Sequence, residues 1–267
     1  MRVALKFAYL GTEYYGYQIQ HGVPTIEGKL LKALKDRGVL KSHSKAKYSA
    51  AGRTDRGVHA LSQVIAFDTE SAEALKPGTI NADLHQIWIY AWAKVGKDFN
   101  ARISAVERGY RYVFWGKGLN IDTMKDAASI LSGTHDFRNF ADEDREKSTL
   151  CNIKAISIRN DGDWFYLDIA GNRFLQHMVR KIGAALKLIG KGEKDKGWLV
   201  KMLDSSITDT LQPMEANGLI LMNVKYPGIQ WNIDSSAQSR ALEEIHELFI
   251  SCETVVRMLE EIEIGMK

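Results

Sequence analysis

The sequence predicts an α+β fold made of two sheet-plus-helix halves, with mixed but mainly antiparallel strands. Stretches in which apolar and polar residues alternate recur along the chain, and stretches with a helical apolar stripe lie between them. The two kinds of stretch do not follow the regular strand–helix order of a parallel α/β protein. Several neighbouring strands are joined by turns too short for a crossover helix, which favours antiparallel pairing.

The first 105 residues are predicted to form the N-terminal α+β half. Apolar residues at the odd positions of 3–9 indicate a strand with one buried face. Thr25 is a typical N-cap for a helix that Gly38 would end. Further strands are predicted at 62–67 and 87–95, where apolar residues again recur with a period of two.

Residues 106–228 are predicted to form a second α+β half that packs tightly on the first, because no linker separates them. Its predicted elements are a strand at 110–114, a helix at 122–132, a hairpin turning at 160–162, a helix at 174–189 and a strand at 219–226. Residues 229–267 are predicted to be a helical tail packed on this C-terminal half, with an apolar stripe that begins at Leu242.

The composition is ordinary for a globular protein of 267 residues, of which 45% are apolar. No apolar run reaches the roughly 18 residues of a membrane span, and the N-terminus lacks the apolar block of a signal peptide. Cys151 and Cys252 form no CxxC pair, which favours a reduced, cytoplasmic setting. The seven histidines are scattered, so we expect no zinc site. The 36 basic residues nearly balance the 33 acidic ones, so net charge does not indicate a partner.

Residues 51–60, AGRTDRGVHA, carry the densest chemical signal in the sequence. Asp55 lies between Arg53 and Arg56, and glycines bracket the three. Neighbouring arginines favour the ionised form of a carboxylate, which can then act as a nucleophile or a base. Arginine also contacts phosphates and stacks on bases. The alternative is a structural turn with a surface Asp–Arg pair, which a signal this short does not exclude.

This segment resembles the GRTDxGVHA motif of the tRNA pseudouridine synthase A (TruA) family. Further stretches resemble motifs of the family in the same order: YLGT at 9–12 with GYQIQ at 16–20, TIEG at 25–28, DFNARISA at 98–105, RGYRY at 108–112, GTHDF at 133–137, FLQHMVR at 174–180 and GLIL at 218–221. The resemblance spans residues 3–226. The chain departs from the family pattern at Leu10, Tyr17, Asn100, Ile103 and residues 214–216.

The resemblance implies an isomerase with the pseudouridine synthase fold and an active site in the cleft between the halves. It implies that Asp55 is the catalytic nucleophile. Tyr110 would lie against the target base and help to remove the proton from C5, and Arg180 would pair with the Asp55 carboxylate. Each assignment has a structural alternative, which is a packed strand aromatic for Tyr110 and a solvated helix charge for Arg180.

The resemblance also implies a set of residues that bind the RNA. Arg53 would fill the space left by a flipped base, and Leu221 would form an apolar wall under that base, unless it is simply a core residue. The remaining RNA-binding residues are Gln18, Arg56, Arg102 and Arg173. We assign His59 to hydrogen bonding within the loop rather than to a chemical step.

The implied substrate is uridine at positions 38–40 of the tRNA anticodon stem-loop, held by a homodimer without a cofactor or metal. Whether the carboxylate adds to the sugar, or a glycal forms by loss of the 2′ proton, is left open. The tail stripe and the strand aromatics Trp88, Tyr90 and Trp92 suit a subunit contact or packing within one chain, and we favour the latter. The acidic loop between Arg138 and Leu150 is expected to face away from RNA.

Two functions of other classes remain open. One is an RNA-binding module without activity, against which the intact set of Asp55, Tyr110 and Arg180 argues. The other is a hydrolase of phosphate esters with an aspartate nucleophile. That chemistry usually needs Mg²⁺ and several converging carboxylates, whereas the neighbours of Asp55 in the sequence are arginines.

Overall fold

The structure of the protein is a computed structural model that describes residues 1–42, 46–142 and 148–267. In these ranges the strands are β1 (Arg2–Tyr9), β2 (Ser49–Ala50), β3 (His59–Asp68), β4 (Ile87–Lys94), β5 (Glu107–Trp115), β6 (Gly133–Asp136), β7 (Leu150–Asp161), β8 (Trp164–Gly171), β9 (Leu219–Lys225) and β10 (Asn232–Ile233). The α-helices are α1 (Ile26–Asp36), α2 (Pro77–Asn81), α3 (Ile121–Ile130), α4 (Met178–Gly190), α5 (Lys196–Leu203) and α6 (Ser235–Gly265).

The described strands form one continuous sheet in the order β10-β4-β1-β3-β9-β5-β8-β7-β6, with β2 paired to β3. The described pairs are antiparallel except for β3 and β9, which run parallel with His59 opposite Ile220 and Ala60 opposite Leu221. The predicted α+β class with mainly antiparallel strands is therefore confirmed. The halves share this sheet because β9 returns from the C-terminal half to pair with β3. Boundaries near residues 105 and 228 stay a prediction.

Each half has its own apolar core. In the N-terminal half, Phe7 of β1 and Leu34 of α1 belong to one fully buried cluster. In the C-terminal half, Leu167 of β8 and Ile182 of α4 belong to another. Burying a side chain of this size contributes about 1.5–3 kcal/mol. Tyr110 packs against both clusters, so it marks the place where the two halves meet.

The helix ends follow local chemistry. The Thr25 hydroxyl accepts a hydrogen bond from the Gly28 amide at 3.2 Å, which caps α1, and Gly38 follows that helix with φ at +65°. The prediction of a helix from residue 174 is wrong at its start, because α4 begins at Met178. His177 is in the left-handed region with φ at +60°, so the helix cannot extend back through it. Residues 172–176 instead form a loop that runs towards the junction of the halves.

The tail is a long helix, as predicted, but the predicted location is wrong. Helix α6 packs on β4 and α2 of the N-terminal half rather than on the C-terminal half. Ala241 joins Ala8 and Trp88 in a small buried cluster, and the Trp88 indole donates a hydrogen bond to Glu244 at 2.6 Å. Leu10, Tyr90 and Leu248 pack around this cluster. No helix in the described ranges is long and apolar enough to cross a membrane.

Candidate active site

Asp55 lies in the loop between β2 and β3, and hydrogen bonds hold this loop before and after Asp55. The Tyr9 hydroxyl and the Thr54 hydroxyl are 2.7 Å apart, and the Tyr17 amide donates to the Thr54 carbonyl at 3.0 Å. After Asp55, the Val58 amide donates to the Asp55 carbonyl at 3.2 Å. Gly57 turns the chain with φ at +83°, a conformation that glycine adopts without strain. The loop is therefore held before any substrate binds.

A second segment, around Gly11, lies directly against the same loop. A Cβ atom on Gly11 would be 2.1 Å from the Val58 carbonyl oxygen, so only glycine fits. His59 links the two segments to the C-terminal half. Its Nδ1 accepts from the Gly11 amide at 3.1 Å, and its Nε2 therefore donates to the Asn217 carbonyl at 2.9 Å. Burial lowers the pKa of His59, which favours this neutral form. These contacts agree with the expected hydrogen-bonding role of His59.

The Asp55 carboxylate is held from the C-terminal half. Nη1 of Arg180 donates to Oδ2 of Asp55 at 3.2 Å, and Nε of Arg180 donates to the Met214 carbonyl at 2.7 Å. The Arg180 side chain is only 13% exposed and that of Asp55 31%. Nε2 of His177 lies 3.3 Å from the same Oδ2. Both described contacts thus converge on one oxygen, and no hydrogen bond from a described residue reaches Oδ1.

The arginines next to Asp55 in the sequence behave differently from the expectation. The guanidinium of Arg56 stacks over the exposed ring of Tyr15, 4.1 Å from its centre. Arg53 is exposed and has no hydrogen bond or ion pair with a described residue. Neither guanidinium has a described contact with the Asp55 carboxylate, whereas Arg180 does, as the resemblance implied. Neighbouring side chains in a loop point in different directions, so closeness to Asp55 in the sequence does not bring these two arginines to its carboxylate. Arg180, which is 125 positions away, contacts it.

Tyr110 of β5 lies beside this pair. It sits between Ile169 of β8 and Leu221 of β9, and its ring meets that of Phe174 edge-on with 5.1 Å between centres. Burial raises the pKa of Tyr110 to about 12, an effect that the Asp55 charge increases and that Arg108 opposes. The phenol is therefore neutral at physiological pH. Leu221 is 1% exposed and belongs to the core, so in this structure it backs the site rather than lining it.

Arg108 braces the site from behind, a contribution that the sequence analysis did not identify. Its guanidinium donates to the carbonyls of Ala51, Arg102 and Asn172 at 3.1, 2.6 and 3.0 Å. These carbonyls belong to the start of the loop that carries Asp55, to the 100–104 turn and to the loop before α4. Burial lowers the pKa of Arg108. Its place in the RGYRY motif was the one available signal.

A second missed feature lies behind His177. Its Nδ1 is 2.6 Å from Oδ2 of Asp142, and Nζ of Lys181 is 2.7 Å from Oδ1 of Asp142. The hydrogen bond from Lys181 lowers the pKa of Asp142, and the charge of His177 adds to this effect. The prediction that the acidic loop faces away is therefore wrong for Asp142. Residues 143–147 of that loop lie outside the described residues.

Three further residues that the resemblance assigns to RNA binding are at least partly exposed. Gln18 and Arg102 are exposed, and Arg173 is half-buried. Gln18 directly follows Tyr17, whose amide donates to Thr54 in the loop that carries Asp55, and Arg102 lies in the turn held by Arg108. In the described ranges, no three His, Cys, Asp or Glu side chains are grouped so that they could hold a metal ion.

Comparison with known proteins gives one consistent result. A family model described as tRNA pseudouridine synthase matches residues 127–227. The tRNA pseudouridine synthase A of Methanosarcina mazei is 46% identical over 98% of both chains. That of Methanocella arvoryzae is 38% identical over 100% of both chains, and that of Pyrococcus furiosus is 37% identical over 93% of this chain and 92% of its own.

Among solved structures, an archaeal box H/ACA ribonucleoprotein complex aligns with a TM-score of 0.36 and 12% identity, over 69% of this chain and 44% of that one. That likeness is too distant to carry an argument. The full-length relatives are close enough to decide the family without it. Because they align along nearly the whole chain, with Asp55, Tyr110 and Arg180 grouped at one site, this chain belongs to the tRNA pseudouridine synthase A family.

Proposed function

We propose that this protein isomerises uridine to pseudouridine in the anticodon stem-loop of tRNA, at positions 38–40. The observation that carries the proposal is the ion pair between Asp55 and Arg180, which lies beside Tyr110 where the two halves meet. A partly exposed carboxylate, held through one oxygen by a nearly buried guanidinium, is oriented for attack through the other oxygen.

The reaction breaks one bond to carbon and forms another without a net change in composition. Asp55 assists cleavage of the bond between C1′ and N1, either by adding to C1′ or by taking the proton from C2′. The freed uracil turns and rejoins C1′ through C5, which displaces the carboxylate from C1′ on the first route and is accompanied by return of the proton to C2′ on the second. The proton on C5 then leaves and N1 gains one, so no electrons or groups enter from outside. Arg180 keeps the carboxylate in place while its charge changes.

Tyr110 supplies the surface on which the base is held. Its ring is fixed by Phe174 and by the strands on both sides, and its hydroxyl has no hydrogen-bond partner among the described residues. A neutral phenol can donate a hydrogen bond to a uracil carbonyl. To accept the C5 proton, the hydroxyl must first lose its own, which its pKa of about 12 makes unfavourable at neutral pH.

Recognition of the RNA needs the target uridine outside its stack, because C1′ and C5 are hidden within a helix. Arg53, which has no described ion pair, is free to enter the space that the base leaves. Arg56 on Tyr15 offers a cationic stacking surface beside it. Gln18, Arg102 and Arg173 lie at the edge and are suited to contacts with the sugar–phosphate backbone.

We further propose that the protein acts as a cytoplasmic homodimer whose subunits meet through α6. That helix spans about 46 Å, and of its 31 residues only Ala237 and Ala241 are buried. Its exposed apolar residues include Leu242, Ile245, Phe249, Val256, Leu259 and Ile262. A second copy of the same stripe would cover them in a self-complementary contact. By contrast, Trp88 packs within one chain, which supports the packing favoured above for the strand aromatics.

Tritium release from tRNA labelled at C5 of uridine tests the proposed reaction. We expect wild-type protein to release tritium and the Asp55→Asn variant to release none, while both bind the RNA. The matched control is Asp168→Asn, which changes a carboxylate paired with Arg111 away from the site. Binding without release by wild type would favour a module without activity. Release of phosphate that depends on added Mg²⁺ would favour a hydrolase, and either result would reject the proposal.

A further inference from the structure

We propose that His177 is a positioning residue for the Asp55 carboxylate, and that Asp142 holds the His177 ring in place. The inference rests on the proposed isomerase function and extends it from the pair of Asp55 and Arg180 to a chain of contacts behind it. His177 is 3.3 Å from Oδ2 of Asp55 through Nε2 and 2.6 Å from Oδ2 of Asp142 through Nδ1.

The backbone of His177 is the first observation. Its φ is +60°, in the left-handed region that residues other than glycine seldom occupy. Histidine, like asparagine, is found there more often than most such residues, but the region is still sparsely populated. Residues in sparsely populated backbone regions cluster at active sites and ligand-binding segments. Here the turn directs the imidazole towards the site, just before α4 presents Arg180 one turn later.

The second observation is the geometry of the ring. Each ring nitrogen faces a carboxylate, and the shorter contact is the one to Asp142. A hydrogen bond between Nδ1 and a carboxylate fixes the rotation of an imidazole. Both ring nitrogens donate only in the imidazolium form, and in that form the Nε2–H of the fixed ring points at the same Asp55 oxygen that Arg180 contacts. Two partners on Oδ2 define the plane of the carboxylate and leave Oδ1 for the substrate.

A purely structural explanation would make His177 a tie that holds the loop after Phe140 onto α4. That tie already exists without it. Lys181 donates to the Ala141 carbonyl at 3.0 Å and pairs with Asp142 at 2.7 Å, and its side chain is only 10% exposed. The Asp142 amide also reaches the Gln176 carbonyl at 3.4 Å. The position of Asp142 is therefore secured by Lys181, and the histidine is left to act on Asp55.

Amide substitutions at position 177 distinguish the contact to Asp55 from the contact to Asp142. Glutamine places its NH₂ near the Nε2 position and can still reach Asp55, whereas asparagine reaches only the Asp142 side. We expect His177→Asn to lower kcat for tritium release about 10- to 100-fold. KM for tRNA should stay within about threefold, and His177→Gln should recover part of the loss. Because asparagine, like histidine, tolerates the left-handed region, the thermal midpoint of His177→Asn should stay close to that of wild type.

Asp142→Ala is a second variant, and it leaves His177 with its left-handed backbone unchanged. It should lower kcat about tenfold, whereas the control Asp126→Ala, which removes a surface carboxylate paired with Lys196, should leave kcat within about twofold. Wild-type kcat in both His177 variants would overturn the inference. So would a loss of kcat that follows a fall in thermal midpoint in all three variants. If wild type itself releases no tritium, the proposed function fails instead, which distinguishes the two failures.

Discussion

Replacing Arg180 is the sharpest test of how the site is built. The change to alanine removes the hydrogen bond to Asp55 at 3.2 Å and the one to the Met214 carbonyl at 2.7 Å. A hydrogen bond to a charged group contributes about 1.5–3 kcal/mol. Because Asp55 is 31% exposed, water replaces part of the lost contact, and the lower end of that range applies.

At about 1.4 kcal/mol for each factor of ten, the lost contact to Asp55 lowers kcat at least about 10-fold. Loss of orientation, which Arg180 supplies by fixing one oxygen, raises the expected effect to about 100-fold. Arg180→Lys keeps the charge but cannot bond Asp55 and Met214 with one planar group, so it should fall between alanine and wild type.

The assay is the steady-state rate of tritium release at saturating tRNA, which gives kcat, with thermal unfolding measured in parallel. Arg111→Ala is the matched control, because Arg111 pairs with Asp168 at 2.8 and 3.1 Å on the opposite face of β5 from Tyr110. That pair is about a third exposed, so its loss should cost under about 1 kcal/mol and leave kcat near wild type. A kcat for Arg180→Ala within about threefold of wild type would refute this account of the site.

Three further predictions concern different parts of the molecule. If Tyr110 accepts the C5 proton as the phenolate, its pKa of about 12 means that kcat rises with pH from 7 to 9, because the phenolate fraction rises. A Tyr110→Phe variant whose kcat rises equally with pH would contradict this. Gly11→Ala should lower the thermal midpoint, because the new Cβ overlaps the Val58 carbonyl and destabilises the fold by about 1–3 kcal/mol. Gly96→Ala is the control, because its Cβ meets open space, and equal effects of the two changes would refute the argument. Phe249→Glu should turn a dimer into a folded monomer in sedimentation experiments, and an unchanged mass would exclude α6 as the interface.

The local elements could be predicted because their signals are contiguous. Alternating apolar residues identified β1 and β4, Thr25 identified the start of α1, and the turn at Gly162, with φ at +54°, identified the hairpin of β7 and β8. The start of α4 was missed because the apolar pattern continues through residues 174–177 while the backbone does not. There Phe174 packs edge-on against Tyr110 instead of lying on a helix face.

The sequence by itself determined the α+β class, the helix and strand pattern, and the loop that carries Asp55. The residue pattern pointed to Arg53 and Arg56 as the arginines beside the carboxylate, and only the family resemblance implied Arg180. The tertiary structure brings Arg180 and His177 to the carboxylate instead. The physical reason is that local patterns record which backbone a segment prefers and which of its faces is apolar. A contact between residues more than 100 positions apart depends on how β3 and β9 join the halves, and no local pattern records it.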